Sequence, residues 1–344
     1  MTRVRVAVDA MGGDHGPRVV VPGALRALPR LPAGTELVFL GDEARIRSAL
    51  GAGTTAPVRV VHAPDAVSMD ESPATAVRRK PDSSLARALD LVTRGEAEAL
   101  LSAGSTGAVV AGALLALGRI GKLRPAIATL FPTDRSSCVL VDVGANADCK
   151  PLHLVQFAVM GAVYARIHLG LERPRVGLLN IGEEESKGNE LAVAAHGMLR
   201  ESGLHFVGNV EGRDVLAGRA DVVVCDGFVG NVLLKFGESM LRFLTRQMRE
   251  EVHRSFRAKL GAMLLRPAFR SLRSRIDYTE AGGAPLLGVQ GTVVIAHGKS
   301  PERAIENAVV LAATLAANDL PGQIASLLQE VGAHLVQPGD AGRG

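Results

Sequence analysis

The sequence has no tryptophan, aromatic residues make up only 3% of it, and 344 residues hold just three cysteines. With so few aromatics, the core has to be built from Ala, Val, Leu and Ile. At 47% hydrophobic residues there is enough material for a large one. Cys138, Cys149 and Cys225 are odd in number and far apart, which excludes a disulfide framework and a zinc-binding spacing. Long hydrophobic runs are also missing. "AVVAGALLALG" (108–118) is too short to cross a bilayer, and "MTRVRVAVDA" lacks the apolar region and cleavage site of a secretion signal. These absences predict a soluble cytoplasmic protein. Internal repeats and low-complexity linkers are absent as well. One α/β domain is therefore expected over 1–335, followed by a flexible tail over 336–344.

The standard nucleotide and hydrolase fingerprints fail too. "MGGDHG" does not read G-x-G-x-x-G, and in "GTVVIAHGKS" Val293 stands where a P-loop needs its first glycine. "AGSTG" lacks the leading glycine of a nucleophile elbow.

What is present is an alternation of strand-like and helix-like segments. Of the apolar, β-branched runs "VRVAVDA", "ELVFLGD", "VRVVHAP", "ALLSAG", "CVLVDVG", "RVGLLNIG", "LHFVGNV", "DVVVCDG" and "TVVIAHG", several are continuous rather than alternating, as in strands buried on both faces. Helical segments such as "TGAVVAGALLALGRI", "HLVQFAVMGAVYARIHLG", "GNELAVAAHGMLRES" and "PERAIENAVVLAATLAA" separate them. The pattern predicts a three-layer α/β/α sandwich around a mostly parallel sheet. Polar, glycine-rich stretches follow the strands, and in a parallel sheet they would share one edge, where open α/β folds bind ligands.

The first of these stretches, "VDAMGGDHGP" (8–17), spends three glycines on one turn. Glycine loses the most freedom on folding, so either the turn is tight or something approaches its backbone closely. In "SAGSTGAVVAGALL" (102–115), Ser102, Ser105 and Thr106 precede a helix whose first N–H groups suit an anion, or serve as an ordinary cap. "NIGEEESKGNE" (180–190) sets Lys187 near a helix start, where a cation is unfavourable without an anion or carboxylate beside it. In "CDGFVGNVLLK", Asn231 could orient an anion or a tetrahedral oxyanion, or be a helix cap. His15 and the Arg78-Arg79-Lys80 run are further polar candidates.

Charge is unevenly spread. Between Arg242 and Arg275 there are ten Lys or Arg against two acids, whereas the rest carries 29 against 33. Phe236, Met240, Leu244, Met248, Val252 and Phe256 recur every four residues in this segment, which predicts a basic amphipathic helical hairpin over 235–277. Its apolar tip, Leu260, Met263, Leu264, Leu265 and Phe269 with Arg266 and Arg270, could pack in a dimer or enter an anionic membrane surface. No nucleic-acid motif accompanies the charge.

Taken together, "VDAMGGDHGP", "AVRRKPDSS", "SAGSTGA", "VDVGANADCKP", "QFAVMGAVYA", "GLLNIGEEESKGNE", "VGNVEGRD", "DVVVCDGFVGNVLLK" and "GGAPLLGVQG…VIAHGKS" closely resemble the PlsX-type phosphate acyltransferases of bacterial phospholipid synthesis. The resemblance runs from the first strand to the last helix. Ser105 departs from it, since the family usually has Asn there. The resemblance implies a fold similar to isocitrate and isopropylmalate dehydrogenases and to phosphotransacetylase, and a homodimer. It also implies transfer of a fatty acyl group from acyl carrier protein to inorganic phosphate. Acyl phosphate would then feed a downstream membrane acyltransferase. Lys187 and Asn231 carry over as catalytic, with neither metal nor nicotinamide expected. His15, Ser102, Ser105 and Thr106 would hold phosphate, with Lys80, Asn146 and Lys150 as further contacts. The basic tip would meet the carrier protein, an anionic membrane surface, or both. A nicotinamide-dependent dehydrogenase of the related fold and a non-catalytic carrier or membrane scaffold remain the alternative readings.

Overall fold

The computed structural model describes residues 4–51, 56–68, 71–269 and 282–336. In β1 (Arg5–Asp9), Val6 and Val8 face one hydrophobic cluster while Ala7 faces a second. In β2 (Glu36–Gly41), Leu37 and Phe39 likewise oppose Val38 and Leu40. Period-two alternation therefore feeds two cores, one on each face, and the strands read as unbroken apolar runs because both faces are covered. The other strands are β3 (Val58–His62), β4 (Ala99–Ser102), β5 (Ala126–Pro132), β6 (Ser137–Val141), β7 (Val176–Leu179), β8 (Phe206–Val210), β9 (Val222–Val224), β10 (Ala284–Leu287) and β11 (Thr292–Ile295).

The helices, in chain order, are α1 (Pro17–Ala27), α2 (Glu43–Leu50), α3 (Pro73–Arg79), α4 (Ser84–Thr93), α5 (Thr106–Ala116), α6 (Pro151–Leu169), α7 (Glu190–Glu201), α8 (Gly212–Ala217), α9 (Gly227–His253), α10 (Phe256–Leu264), α11 (Glu302–Ala317) and α12 (Leu320–Val336). Buried residues of α1, α6, α7, α11 and α12 fill one core, and those of α4, α5 and α8 fill the other. This is the expected α/β/α sandwich. α6 is long and apolar enough to span a bilayer, yet Leu154–Ala165 are buried and it packs on β6, β9 and α12 as a core helix.

One sheet holds all eleven strands, in the order β3-β2-β1-β4-β11-β10-β5-β6-β9-β7-β8. Seven pairings are parallel, but β11–β10, β10–β5 and β5–β6 are antiparallel. Three reversals in succession turn β6, β9, β7 and β8 opposite to β1, β2, β3, β4 and β11. The expectation that all the polar loops gather at one edge is therefore corrected. The turns after β1, β4 and β11 leave at one edge, and those after β6, β7 and β9 leave at the other.

The basic segment also differs from expectation. Its first helix starts at Gly227 rather than 235, because "GFVGN" forms the opening turns of α9 rather than a loop. Beyond those turns the apolar stripe faces outward, with Phe236 61% and Leu244 49% exposed. The chain breaks helix at Arg254–Ser255, where the Ser255 hydroxyl accepts the Ala258 N–H at 3.0 Å. Leu260, Met263 and Leu264 thus lie on α10 itself and are exposed, with Leu265, Arg266 and Phe269 just after it. Arg270, the second arm of the expected hairpin (270–277) and the tail beyond 336 lie outside the described residues.

Candidate active site

At the edge formed by β6, β7 and β9, the first element is a turn organised by one carboxylate. Asp142, directly after β6, is fully buried. Its Oδ1 accepts the N–H groups of Ile127 (3.0 Å), Gly144 (3.2 Å) and Ala145 (3.1 Å). Its Oδ2 accepts the Asn146 N–H (2.7 Å) and the Asn146 side-chain amide (2.9 Å). α9 lands on this turn. A Cβ on Gly230 would sit 1.9 Å from the Asp142 carbonyl oxygen, and one on Gly227 would sit 2.6 Å from Asp142 Oδ2. Only glycine allows that approach, which accounts for the two glycines of "CDGFVGN".

Asp226 caps α9 by accepting the Val229 N–H at 2.8 Å. Asn231 is therefore not the cap. It lies in the second turn, beside Gly144, where a Cβ would be 3.5 Å from the Asn231 side-chain carbonyl carbon. Among the described residues its carboxamide makes no hydrogen bond, so both its donor and its acceptor are available.

β7 lies next to β9 and supplies Lys187. The loop after β7 folds back on Asn180, whose amide donates to the Lys187 carbonyl at 2.9 Å. The Lys187 N–H in turn donates to the Glu184 carbonyl at 3.0 Å. Glu184 O also accepts the Asn209 amide (2.8 Å), and Asn209 Oδ1 lies 3.0 Å from Nδ1 of the buried His196. Because the Asn209 amide nitrogen faces Glu184, its oxygen faces His196, whose Nδ1 must carry the proton. A buried relay thus sets the backbone from which Lys187 projects. The adjoining glutamates do not neutralise it. Glu183 pairs with Arg219 at 2.8 Å and Glu185 with Arg200 at 3.0 Å. Among the described residues no carboxylate lies within ion-pair distance of Lys187, which remains exposed just before the Asn189 cap of α7.

Asn146 and Lys150 share this edge. Asn146 is buried and fully engaged. Its amide donates to Asp142 and to the Pro125 carbonyl (2.8 Å), and its oxygen accepts from Arg124 Nε at 2.5 Å. Both amide donors of Asn146, expected from the sequence to contact phosphate, are therefore engaged within this turn. Lys150 is exposed at the start of α6 and donates its N–H to His153 Nδ1 at 3.1 Å. Burial, and then the charges of Arg124 and Lys150, push the His153 pKa down. Burial pushes the thiols up, Cys149 to about 11 and Cys225 well above its ordinary value, so neither offers a thiolate near neutral pH.

The other edge holds the remaining candidates, and its buried polar groups use one another. Ser102 is buried and donates to Asp9 Oδ2 at 2.7 Å, while its hydroxyl oxygen accepts the Gly104 N–H at 3.1 Å. Burial raises the Asp9 pKa, against the pull of hydrogen bonds from Ser84, Ser102 and the N–H groups of Met11 and Gly12. A Cβ on Gly12 would lie 2.8 Å from Gly104 N, and one on Gly13 would lie 2.8 Å from Gly298 O. What approaches the glycine-rich turn is thus the chain's own backbone. Ser105 precedes α5 without capping it through its side chain, and Thr106 and His15 are exposed. Lys80 pairs with Glu71 at 2.6 Å and donates to the Ala66 carbonyl, so it fastens its own loop. Among the described residues, no hydrogen bond or ion pair joins His15, Ser102, Ser105 or Thr106 to Lys187 or Asn231. Sequence reading missed Asp9, Asp142 and Arg124. A "VD" pair, which closes β1 and straddles the end of β6, was the available signal for the two aspartates.

A model of the fatty acid synthesis protein family matches residues 4–323. The phosphate acyltransferase of Pelotomaculum thermopropionicum is 49% identical over 341 residues, covering 97% of this chain and 99% of its own. That of Heliobacterium modesticaldum is 54% identical over 312 residues, covering 90% and 93%. Among solved structures, EutD phosphotransacetylase from Staphylococcus aureus superposes with a TM-score of 0.62 at 17% identity, covering 91% of this chain and 94% of that one. A 4-hydroxythreonine-4-phosphate dehydrogenase from Klebsiella pneumoniae gives 0.52 at 12%, covering 92% and 100%. At such identities these two share a fold with this chain and nothing finer. The close relatives and the family model carry the assignment: the chain belongs to the phosphate acyltransferase family.

Proposed function

We propose that this protein transfers a fatty acyl group from an acyl carrier protein thioester to inorganic phosphate. A phosphate oxygen attacks the thioester carbonyl and forms the C–O bond, giving a tetrahedral oxyanion. Its collapse breaks the C–S bond, and the carrier thiolate leaves with the electron pair and takes a proton from water. Acyl phosphate and free carrier are the products. Phosphate is already an anionic nucleophile and a thiolate leaves readily, so an acyl-enzyme is unnecessary. The raised thiol pKa values agree with direct attack. What the protein must supply is positioning and charge. Lys187 would neutralise phosphate and the developing oxyanion, and Asn231 would orient one of them.

The observation that carries this reading is the pair of uncommitted groups, the Lys187 ammonium and the Asn231 amide, presented by adjacent strands β7 and β9 at one edge. Incubation with acyl carrier protein thioester, with and without phosphate, tests it. Thiol release should require phosphate, and phosphate-independent or absent release would end the proposal.

The outward apolar stripe of α9 suits a second copy of the chain in a homodimer. The exposed leucines of α10, flanked by Arg257, Lys259 and Arg266, suit an anionic membrane surface, where acyl phosphate would pass to a membrane acyltransferase. This reading makes the protein cytoplasmic and peripherally membrane-bound. Replacing Leu264 and Leu265 by Glu should markedly lower co-sedimentation with anionic vesicles while leaving soluble turnover intact. Unchanged sedimentation would remove membrane docking from the proposal.

A further inference from the structure

Another side chain holds the Nε of Arg5, Arg47, Arg94, Arg124 and Arg175. Four of these are bound to a carboxylate, which also takes a terminal nitrogen of the guanidinium. Their charge is spent within the fold. Arg124 is instead tied through Nε to a neutral amide, Asn146 Oδ1. Among the described residues its two terminal nitrogens have no hydrogen-bond partner and no carboxylate within ion-pair distance, and the residue is exposed.

The tie is also unusually well anchored. Asn146 is held by the buried Asp142 and by the carbonyl of Pro125, the residue after Arg124. The Arg124 N–H donates to Gln156 Oε1 at 3.1 Å. Backbone and Nε are therefore both fixed, so the outer half of the guanidinium is presented in one orientation. Such a fork matches two oxygens of a phosphate oxyanion, and little side-chain entropy remains to be lost on binding. The same Asp142–Asn146 turn touches Asn231 through Gly144, and Lys150 adds a second cation nearby. A surface arginine kept only for solubility would need neither the relay nor the place.

We infer that Arg124 is a substrate-binding residue whose terminal nitrogens grip the phosphate oxyanion, identified here as orthophosphate, beside Asn231. This rests on the reaction proposed above. The same chemistry could come from the phosphodiester of a carrier's prosthetic arm, so the test separates the two. Calorimetric titration with inorganic phosphate is compared for the wild type, Arg124→Gln and Arg124→Lys. Michaelis constants for phosphate and for acyl carrier thioester are measured in parallel.

Arg124→Gln should weaken phosphate binding and raise the phosphate KM by about ten- to a hundredfold, with the donor KM unchanged. Arg124→Lys keeps the charge but not the fork, and should recover part of the loss. It also carries the test if the glutamine variant folds poorly. Phosphate binding equal to wild type in both variants would overturn the inference, and so would a rise confined to the donor KM. If the wild type releases no thiol with phosphate, yet phosphate binding still depends on Arg124, the reaction falls and the site stands. If turnover requires phosphate but phosphate binding is indifferent to Arg124, the reaction stands and the site falls.

Discussion

Asp9 and Asp142 occupy equivalent places at the two ends of the sheet. Each is a buried aspartate at the end of a strand, and each gathers a glycine-containing turn. Their surroundings differ. Asp9 meets hydroxyls and a few N–H groups, and burial wins, so its proton is held to higher pH. Asp142 accepts five N–H donors and passes its influence through Asn146 to a surface arginine. At the first edge the buried polar groups, Asp9 and Ser102, are consumed by each other and by neighbouring N–H groups, while His15 and Thr106 stay exposed. At the second, Lys187, Asn231 and the outer nitrogens of Arg124 are left over. Uncommitted charge held by a committed scaffold is the arrangement that the proposed reaction calls for.

Four substitutions sharpen or break this contrast. The largest effect is expected at the second edge, where Lys187→Ala should cost about 10²–10³-fold in kcat/KM with an unchanged melting temperature. A folded, fully active variant would remove Lys187 from the chemistry. Next is Gly230→Ala, whose methyl group would overlap the Asp142 carbonyl. Denaturant unfolding should show a loss of about 3 kcal/mol, and activity should fall as Asn231 shifts. At the first edge, Ser102→Ala removes the hydroxyl shared by Asp9 and Gly104. A loss of about 1–3 kcal/mol in stability is expected, with activity per folded molecule close to wild type. A large loss of activity without a loss of stability would move the first edge into the catalytic machinery.

The smallest effect is expected for Asp9→Asn. The folded state holds the Asp9 proton more tightly than the unfolded chain. Its favourable contribution is therefore present below the ordinary carboxylate range and is lost as pH rises through the raised folded value. Asparagine resembles the protonated form at every pH. The variant should thus gain melting temperature relative to wild type at alkaline pH, and that gain should shrink in acid. A pH-independent difference would show that Asp9 does not titrate between the folded and unfolded states.

Most of the architecture was legible because burial on both faces leaves a strong mark. The nine apolar runs read from the sequence correspond to strands β1–β4, β6–β9 and β11. The two that escaped notice are β5, "AIATLFP", and β10, "APLL". Both are weakly marked, since alanine has low strand propensity and each contains a proline. These two strands carry all the antiparallel pairings, so missing them led directly to the single edge that does not exist. The candidate site fared similarly. Lys187 and Asn231 stood out as a misplaced cation and an amide after a glycine turn. Arg124 sat in an unremarkable "GKLRPA", because its meaning lies in Asn146, which is 22 residues away.

The sequence by itself determined the layered α/β architecture, the aliphatic core, the family and the two residues proposed for catalysis. All of these are written in local composition and order. Only the tertiary structure decided which loops share an edge, that the side chains of Ser102 and Asn146 are engaged by neighbours, and that the terminal nitrogens of Arg124 have no partner among the described residues. The physical reason is that strand polarity and hydrogen-bond partnership are relations between distant segments. A residue's type says what it can offer, and only its neighbours in space say whether that offer has already been taken.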